Sequence, residues 1–236
     1  MTPAVEDSLR TASTAYRRFA DHCRGAESTL PTRLSGWTVA ELVEHVAWGA
    51  AMEAAALRAA AGLPAPDPER PDLAGAIAAF AQAATLEIDP TTAVALPAGI
   101  VPLAYAAPLF AFEAALHAAD LEHALTRRDR PLDGAELAAC SLVVGPMLDL
   151  LATRVPAEDV VIDLVGLGDG IRLSATGGTG GGWHRGEPDG RAATTTVVGT
   201  AHEVVMFVAG RIDPTRLDVR GSAEHARRFK SYFPGP

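Results

Sequence analysis

The chain has 236 residues, of which 48% are hydrophobic and 21% are charged, so it can bury a core and is not a disordered polymer. Its formal net charge of −9 argues against a general nucleic-acid binder, which needs a basic face to displace counterions from phosphates. The same charge argues against binding to anionic membranes by electrostatics alone.

The cysteines and the N-terminal segment both indicate the cellular compartment of the protein. Cys23 and Cys140 are far apart in sequence, which argues against a disulfide framework or a thiolate zinc site. Residues 1–9 carry Glu6 and Asp7 and no apolar run, so they do not read as a signal peptide. We therefore expect a cytoplasmic protein.

Helical periodicity dominates the first 155 residues. Helices are predicted over residues 6–24, 38–61, 72–85, 108–128 and 133–154. The second helix begins with Thr38 and Glu41, whose spacing predicts a capping box. Residues 64–71 form a proline-rich connector, and residues 87–108 are expected to be irregular, with Pro108 in the first turn of the next helix.

An uncharged stretch over residues 91–112 is long enough to span a membrane. It contains Pro97, Pro102 and Pro108, which would leave backbone groups without hydrogen bonds in lipid. We expect instead a buried loop that leads into a core helix, and no membrane partner.

The composition changes near residue 156. Strands are predicted over 159–165, 171–175, 193–198 and 217–219, and helices over 201–209 and 222–229, while residues 177–182 are too rich in glycine for regular structure. The first two strands form a hairpin around the turn at 168–170. The sequence thus predicts an α plus α+β architecture, with a helical domain over 1–155 and a small α+β domain over 156–236.

Three side chains on two helices could hold a metal. His45 lies on the inward stripe of the second helix, and Glu113 and His117 share one face of a later helix at i and i+4. Such a set of two nitrogens and one oxygen leaves a position open, as catalytic zinc sites do. Two alternatives stay open here: Glu113 and His117 form only an ion pair, and Asp120 either orients a histidine or pairs elsewhere.

Two segments resemble one known family. Residues 36–45, which read Gly-Trp-Thr-Val-Ala-Glu-Leu-Val-Glu-His, and residues 113–121 resemble signatures of the mycothiol-dependent maleylpyruvate isomerases. The resemblance implies a DinB-like four-helix bundle followed by a small sterol-carrier-like α+β domain. It also implies that His45, Glu113 and His117 bind zinc or another divalent metal, with mycothiol as the thiol cosubstrate.

The resemblance further implies an arginine of the second domain that holds the substrate carboxylate. Arg211 is the first choice, while Arg216 and Arg220 remain open. The family usually has tryptophan before the aspartate, where this chain has Ala119, and this departure puts the substrate in doubt more than the metal.

The implied activity is the cis–trans isomerisation of an unsaturated dicarboxylate such as maleylpyruvate. The thiol adds to the double bond, the single bond rotates, and elimination returns the trans alkene. Two alternatives remain: a mycothiol S-transferase that acts on another electrophile, and a non-enzymatic metal-containing binding module. The expected partners are a small-molecule substrate and a low-molecular-weight thiol, without nucleic acid.

Overall fold

The computed structural model describes residues 1–65, 71–97, 99–152, 156–177, 181–186 and 191–234. The chain divides into two compact units, Met1–Cys140 and Ser141–Pro236. The first unit is helical and the second contains a small mixed sheet, so the predicted fold class of α plus α+β is confirmed. The units divide between Cys140 and Ser141, within a helix, whereas the sequence placed the domain boundary near residue 156.

Four long helices build the first unit. They are α1 (Pro3–Cys23), α2 (Val39–Ala60), α3 (Leu73–Ala83) and α4 (Leu103–Thr126), and α5 (Gly134–Leu151) begins in this unit. Helix α1 packs along α4, and α2 packs along α3. Their inward stripes meet in a core that includes the fully buried rings of Phe19, Phe80 and Phe110. Burial of these apolar stripes is the main stabilising contribution to a bundle of this kind.

The prediction that residues 87–108 are irregular is wrong in part. Strands β1 (Ala93–Leu96) and β2 (Gly99–Pro102) pair antiparallel, and α4 begins directly after them at Leu103. The backbone N–H groups of Leu103 and Ala104 donate to Thr92 and Pro90, so the preceding loop satisfies the first free donors of the helix.

Pro108 therefore lies inside α4 and not in its first turn, as had been expected. A proline at this position has no N–H to donate to the carbonyl four residues earlier. Tertiary packing overrides this local cost, since Pro108 and the two residues before it are buried. Of the predicted connector over 64–71, residues 66–70 lie outside the described part of the chain, as does residue 98.

A five-stranded sheet forms the second unit. Its strands are β3 (Val160–Val165), β4 (Ile171–Ala175), β5 (Trp183–Arg185), β6 (Thr195–Val198) and β7 (Asp218–Gly221), in the order β5-β4-β3-β6-β7. The central pair β3–β6 is parallel and the other pairs are antiparallel. Helices α6 (Ala201–Val208), α7 (Ala223–Arg227) and α8 (Phe229–Tyr232), with the 3₁₀ turn Pro214–Arg216, complete the unit.

The predicted hairpin of β3 and β4 is confirmed, but strand β5 was not predicted. The glycine-rich run before β5 concealed it, and residues 178–180 of that run lie outside the described residues. Gly166, directly after β3, has a φ of +124°, and a Cβ there would lie 1.9 Å from the carbonyl oxygen of Gly199. Only glycine permits this close approach between the ends of β3 and β6.

Among the described residues, α5 is long and apolar enough to cross a membrane, judged by length and composition alone. The core helix of a globular protein can meet the same criterion, so this observation is weak. The uncharged stretch over 91–112 forms a hairpin and the start of α4.

Candidate metal centre

The structure brings together the three predicted ligands from two helices of the first unit. His45 comes from α2, and Glu113 and His117 come from successive turns of α4. One potential ligand atom from each residue lies within 4.8 Å of the other two. The two imidazole rings are 4.8 Å apart, centre to centre, and nearly perpendicular at 79°. Two nitrogens and one carboxylate thus converge on one point inside the bundle.

The start of α2 fixes the position of His45. The Thr38 hydroxyl accepts from the Glu41 backbone N–H, and the Glu41 carboxylate accepts from the Thr38 backbone N–H, so the predicted capping box is present. Just before this cap, the indole of Trp37 packs edge-on against the His45 ring, with centroids 5.0 Å apart. The cap and the aromatic contact together limit how far His45 can turn away.

Asp120 decides which nitrogen of His117 faces Glu113. Asp120 Oδ2 lies 3.2 Å from His117 Nδ1, and Asp120 Oδ1 accepts from Arg33 Nε at 2.7 Å. An ionised carboxylate can only accept, so Nδ1 carries the proton and, in the neutral imidazole, Nε2 presents its lone pair. Asp120 was predicted either to orient a histidine or to pair elsewhere, and this geometry favours the first interpretation.

Arg33 also contacts a half-buried carboxylate, that of Asp129. Its Nη1 lies 3.1 Å from Asp129 Oδ1, and the same oxygen lies 3.1 Å from His123 Nδ1. Arg33 is 10% exposed and Asp120 is fully buried, so little water competes for either charge. No local sequence pattern indicates a role for Arg33, because it lies in the loop between α1 and α2, 87 residues before its partner.

The unsatisfied nitrogen of His117 fits a metal ligand. Nε2 is buried and makes no hydrogen bond of acceptable geometry, although Glu113 Oε2 lies 3.3 Å away. Burial lowers the pKa of His117, but the hydrogen bond with Asp120 and the negative charges of Glu113 and Asp120 outweigh it and raise the pKa overall. A divalent cation would compensate the negative charge of Glu113 and use the lone pair of Nε2. The residues present therefore fit such an ion.

A second buried carboxylate lies deeper on α2. Glu53 is 4% exposed, and its Oε2 accepts from the Tyr16 hydroxyl at 2.8 Å. Burial raises the pKa of Glu53 well above its ordinary value, the bond from Tyr16 opposes this, and the charge of Glu113 adds to it. Sequence reasoning missed Glu53, although a lone glutamate within an alanine-rich run was a usable signal.

The three candidate arginines all lie in the second unit. Arg211 follows α6, is half-buried, and its Nη1 donates to the Ala209 carbonyl at 2.5 Å. Arg216 ends the 3₁₀ turn and is exposed, and Arg220 on β7 is exposed and paired with Asp218 at 2.6 Å. Arg211 lines a cavity of its unit. Its role as the carboxylate-binding residue stays a prediction.

Comparison with known proteins agrees with this picture. Residues 9–122 match the family model of the mycothiol maleylpyruvate isomerase N-terminal domain. A crystal structure of a single-site mutant of the mycothiol-dependent maleylpyruvate isomerase matches with a TM-score of 0.60 and 16% identity, covering 93% of this chain and 95% of that one.

A second crystal structure of the mycothiol-dependent maleylpyruvate isomerase gives a TM-score of 0.55 at 16% identity, with 90% and 93% of the two chains covered. At this identity the likeness establishes the fold alone. No protein with a curated description matches the sequence significantly. The predicted resemblance to the mycothiol-dependent maleylpyruvate isomerases is nevertheless confirmed, because residues 9–122 match the family model and both solved structures are of such an isomerase.

Proposed function

We propose that this protein is a metal- and mycothiol-dependent cis–trans isomerase of an unsaturated dicarboxylate such as maleylpyruvate, acting in the cytoplasm. The observation that carries the proposal is the convergence of His45, Glu113 and His117 within 4.8 Å of one another. The matched domain family and the fold of the solved isomerases support the reaction class.

Zinc is the first choice of metal, because two imidazoles and one carboxylate form a common three-ligand set for catalytic zinc. A bound zinc ion would supply positive charge that lowers the pKa of a coordinated thiol, so that mycothiol reacts as its thiolate. Nickel and iron accept similar ligands, so the metal is determined by measurement.

The chain's own residues would prepare the site for this chemistry. Glu113 supplies one negative charge, and Asp120 holds the proton of His117 on Nδ1 so that Nε2 stays a ligand. Trp37 restricts the His45 ring. Arg211 would bind a substrate carboxylate through paired N–H donors, as the family resemblance implies. Neither Cys23 nor Cys140 is needed as a nucleophile, and burial raises the pKa of the Cys23 thiol to about 11.

Metal content tests the first half of the proposal. Elemental mass spectrometry of the untagged protein is expected to give about one zinc per chain. His45→Ala should lose it, and the matched control His184→Ala should retain it, because His184 is exposed on β5 of the second unit. Wild-type protein that stays metal-free after zinc is supplied would leave Glu113 and His117 as a simple ion pair.

Turnover tests the second half. Incubation of the zinc-loaded protein with maleylpyruvate and mycothiol should give the trans isomer and return the thiol unchanged. A stable mycothiol adduct would instead identify an S-transferase, which keeps the same site and changes the outcome of the reaction. Metal binding with neither product, across a panel of unsaturated dicarboxylates, would identify a non-enzymatic binding module.

A further inference from the structure

The second unit contains a cavity of about 280 Å³ whose charged lining is mainly basic. Three cationic side chains, those of Arg211, Arg227 and Lys230, line it together with the single carboxylate of Asp213. The rest of the wall is largely apolar and includes Phe207. The cavity lies wholly within Ser141–Pro236, so its shape does not depend on the metal centre.

Lys230 is the only lysine of the chain, and it is half-buried at this cavity. Within the described part of the chain, its Nζ donates to the Val208 carbonyl alone, at 3.5 Å, the outer limit of a hydrogen bond. No carboxylate of the described residues lies within ion-pair distance of it. An ammonium group without an acidic partner in such a place is energetically unfavourable.

The backbone is shaped to hold the lysine there. Gly210 has a φ of +75°, and a Cβ at this position would lie 3.1 Å from Cδ and Cε of Lys230. The missing side chain thus lets the lysine stem pack against the backbone between α6 and the 3₁₀ turn. This close packing directs the stem along the cavity wall and argues against a freely moving surface lysine.

The charges around Lys230 are repulsive or already engaged. Burial and the nearby charge of Arg211 lower the pKa of Lys230 to about 8. Oδ1 of Asp213 accepts from both the N–H and the hydroxyl of Thr215, at 2.8 and 2.6 Å. Arg227 is exposed, and its partner is Glu224, at 3.2 Å. A bound anion would be the missing counter-charge.

We infer that this cavity binds a small organic carboxylate, with Lys230 and Arg211 as its cationic contacts and the apolar wall against its hydrocarbon part. A guanidinium beside an ammonium suits a carboxylate, and the apolar wall favours an organic acid over inorganic phosphate. Carboxylate binding by the cavity does not depend on the proposed function. Only the identification of the bound carboxylate as the substrate rests on it. In this proposal, Lys230 binds the carboxylate together with Arg211.

Proton linkage gives the site a distinctive signature. Anion binding stabilises the ammonium form, so it raises the pKa of Lys230 from about 8. Since the free amine is about 90% neutral one pH unit above its pKa, binding should weaken by up to about 10-fold between pH 7 and pH 9. The other charged groups that line the cavity are Asp213, Arg211 and Arg227.

The test uses the metal-free full chain, benzoate as the probe, and isothermal titration at pH 7 and pH 9. Wild-type protein should bind benzoate with the stated pH dependence. Lys230→Arg should retain binding at pH 7 and lose the pH dependence, because a guanidinium does not titrate there. Lys230→Gln should weaken binding at pH 7 by at least about 10-fold. Arg24→Gln removes an exposed charge directly after α1 that does not line the cavity, and it should leave binding unchanged.

Chemical modification provides a second readout, since Lys230 and the N-terminus carry the only primary amines. Benzoate should slow modification of Lys230 by trinitrobenzenesulfonate at pH 8, measured on the peptide, and should leave the N-terminal rate unchanged. Absence of protection, or an equal pH dependence in Lys230→Arg, would overturn the site.

Maleylpyruvate without mycothiol identifies the ligand. Competition with benzoate would support the substrate assignment as well as the site. Benzoate binding without competition would support the site and overturn its link to the substrate. Because these measurements need neither metal nor thiol, a failure here is distinguishable from a failure of the isomerase assay.

Discussion

The two units differ in the sign of the charge at their candidate binding sites. In the first unit, the buried carboxylates of Glu53 and Asp120 have hydrogen-bond donors, and Glu113 with two histidines forms a cluster that fits a cation. In the second unit, the half-buried Lys230 has no acidic partner among the described residues. Because buried charge requires compensation, the first unit is suited to a cation and the second to an anion.

The strongest test of this contrast removes the negative charge from the metal centre. Glu113→Gln preserves the size of the side chain but replaces a charged ligand by a neutral amide. We expect zinc affinity to fall by more than about 100-fold, beyond what loss of a supporting residue costs. Competition with a chromophoric chelator measures it. The exposed Glu44→Gln on α2 is the control, and unchanged affinity in Glu113→Gln would exclude the three-ligand centre.

Loss of the residues that orient His117 should have the next largest effect on zinc affinity. Asp120→Asn weakens the group that holds the proton on Nδ1, and Arg33→Met releases Asp120 from its 2.7 Å partner. Each should lower zinc affinity by roughly 10- to 100-fold, with Arg33→Met at the lower end.

The tautomer of His117 gives a readout that a purely structural role would not change. In the metal-free wild type, at a pH above the pKa of His117, nitrogen-15 NMR should show the proton on Nδ1, and in Asp120→Asn the two tautomers should mix. Arg10→Met, an exposed charge on α1, controls for the loss of an arginine. Wild-type affinity and tautomer in both test variants would show that the Arg33–Asp120 pair is only structural.

The buried Tyr16–Glu53 pair should make stability depend on pH. Glu53 has a raised pKa in the fold, so the native state binds more protons than the unfolded chain above the ordinary glutamate pKa, near 4.3. Stability is then fully present below that value and declines as the pH rises toward the folded pKa of Glu53. In metal-free protein, Glu53→Gln should flatten this decline, as measured by urea unfolding at several pH values. If the free energy of unfolding declines equally with pH in Glu53→Gln, groups other than Glu53 cause the decline.

Tyr16→Phe examines the same pair at one pH. It removes the donor that Glu53 Oε2 accepts from and leaves a buried acceptor without its partner. Unfolding free energy should fall by about 1–3 kcal/mol. Ser13→Ala on the same helix is a matched control, because its hydroxyl bonds only to a backbone carbonyl one turn earlier. Equal losses in the two variants would mean that the Tyr16 hydroxyl has no special role.

The candidate site was more predictable than its surroundings, for a physical reason. The i, i+4 spacing of Glu113 and His117 is a local property of any helix, and the Thr38–Glu41 cap fixes where α2 begins. Arg33 reaches Asp120 across 87 residues, and no local pattern encodes that contact. Strand β5 and the unpaired charge of Lys230 likewise depend on non-local packing.

The same division between local and non-local signals explains the errors in the fold. Pro108 predicted a helix start by its usual position, but the loop before Leu103 supplied acceptors for the first helical N–H groups. The helix therefore begins five residues earlier, at Leu103. Only the tertiary contact between the hairpin segment and α4 could have shown this.

The smallest expected effect comes from removing a helix N-cap, a feature that occurs in both units. Thr38 and Thr200 each begin a helix with a complete capping box, paired with Glu41 and Glu203. Thr38→Ala and Thr200→Ala should each cost about 1 kcal/mol of stability, the usual loss of a threonine cap. Scanning calorimetry measures both, and Thr14→Ala, on an exposed face inside α1, is the control. Because α2 carries His45, Thr38→Ala should also weaken zinc binding, whereas Thr200→Ala should not. Equal effects on zinc binding would mean that the cap of α2 does not position His45, and that the helix packing around α2 does so without it.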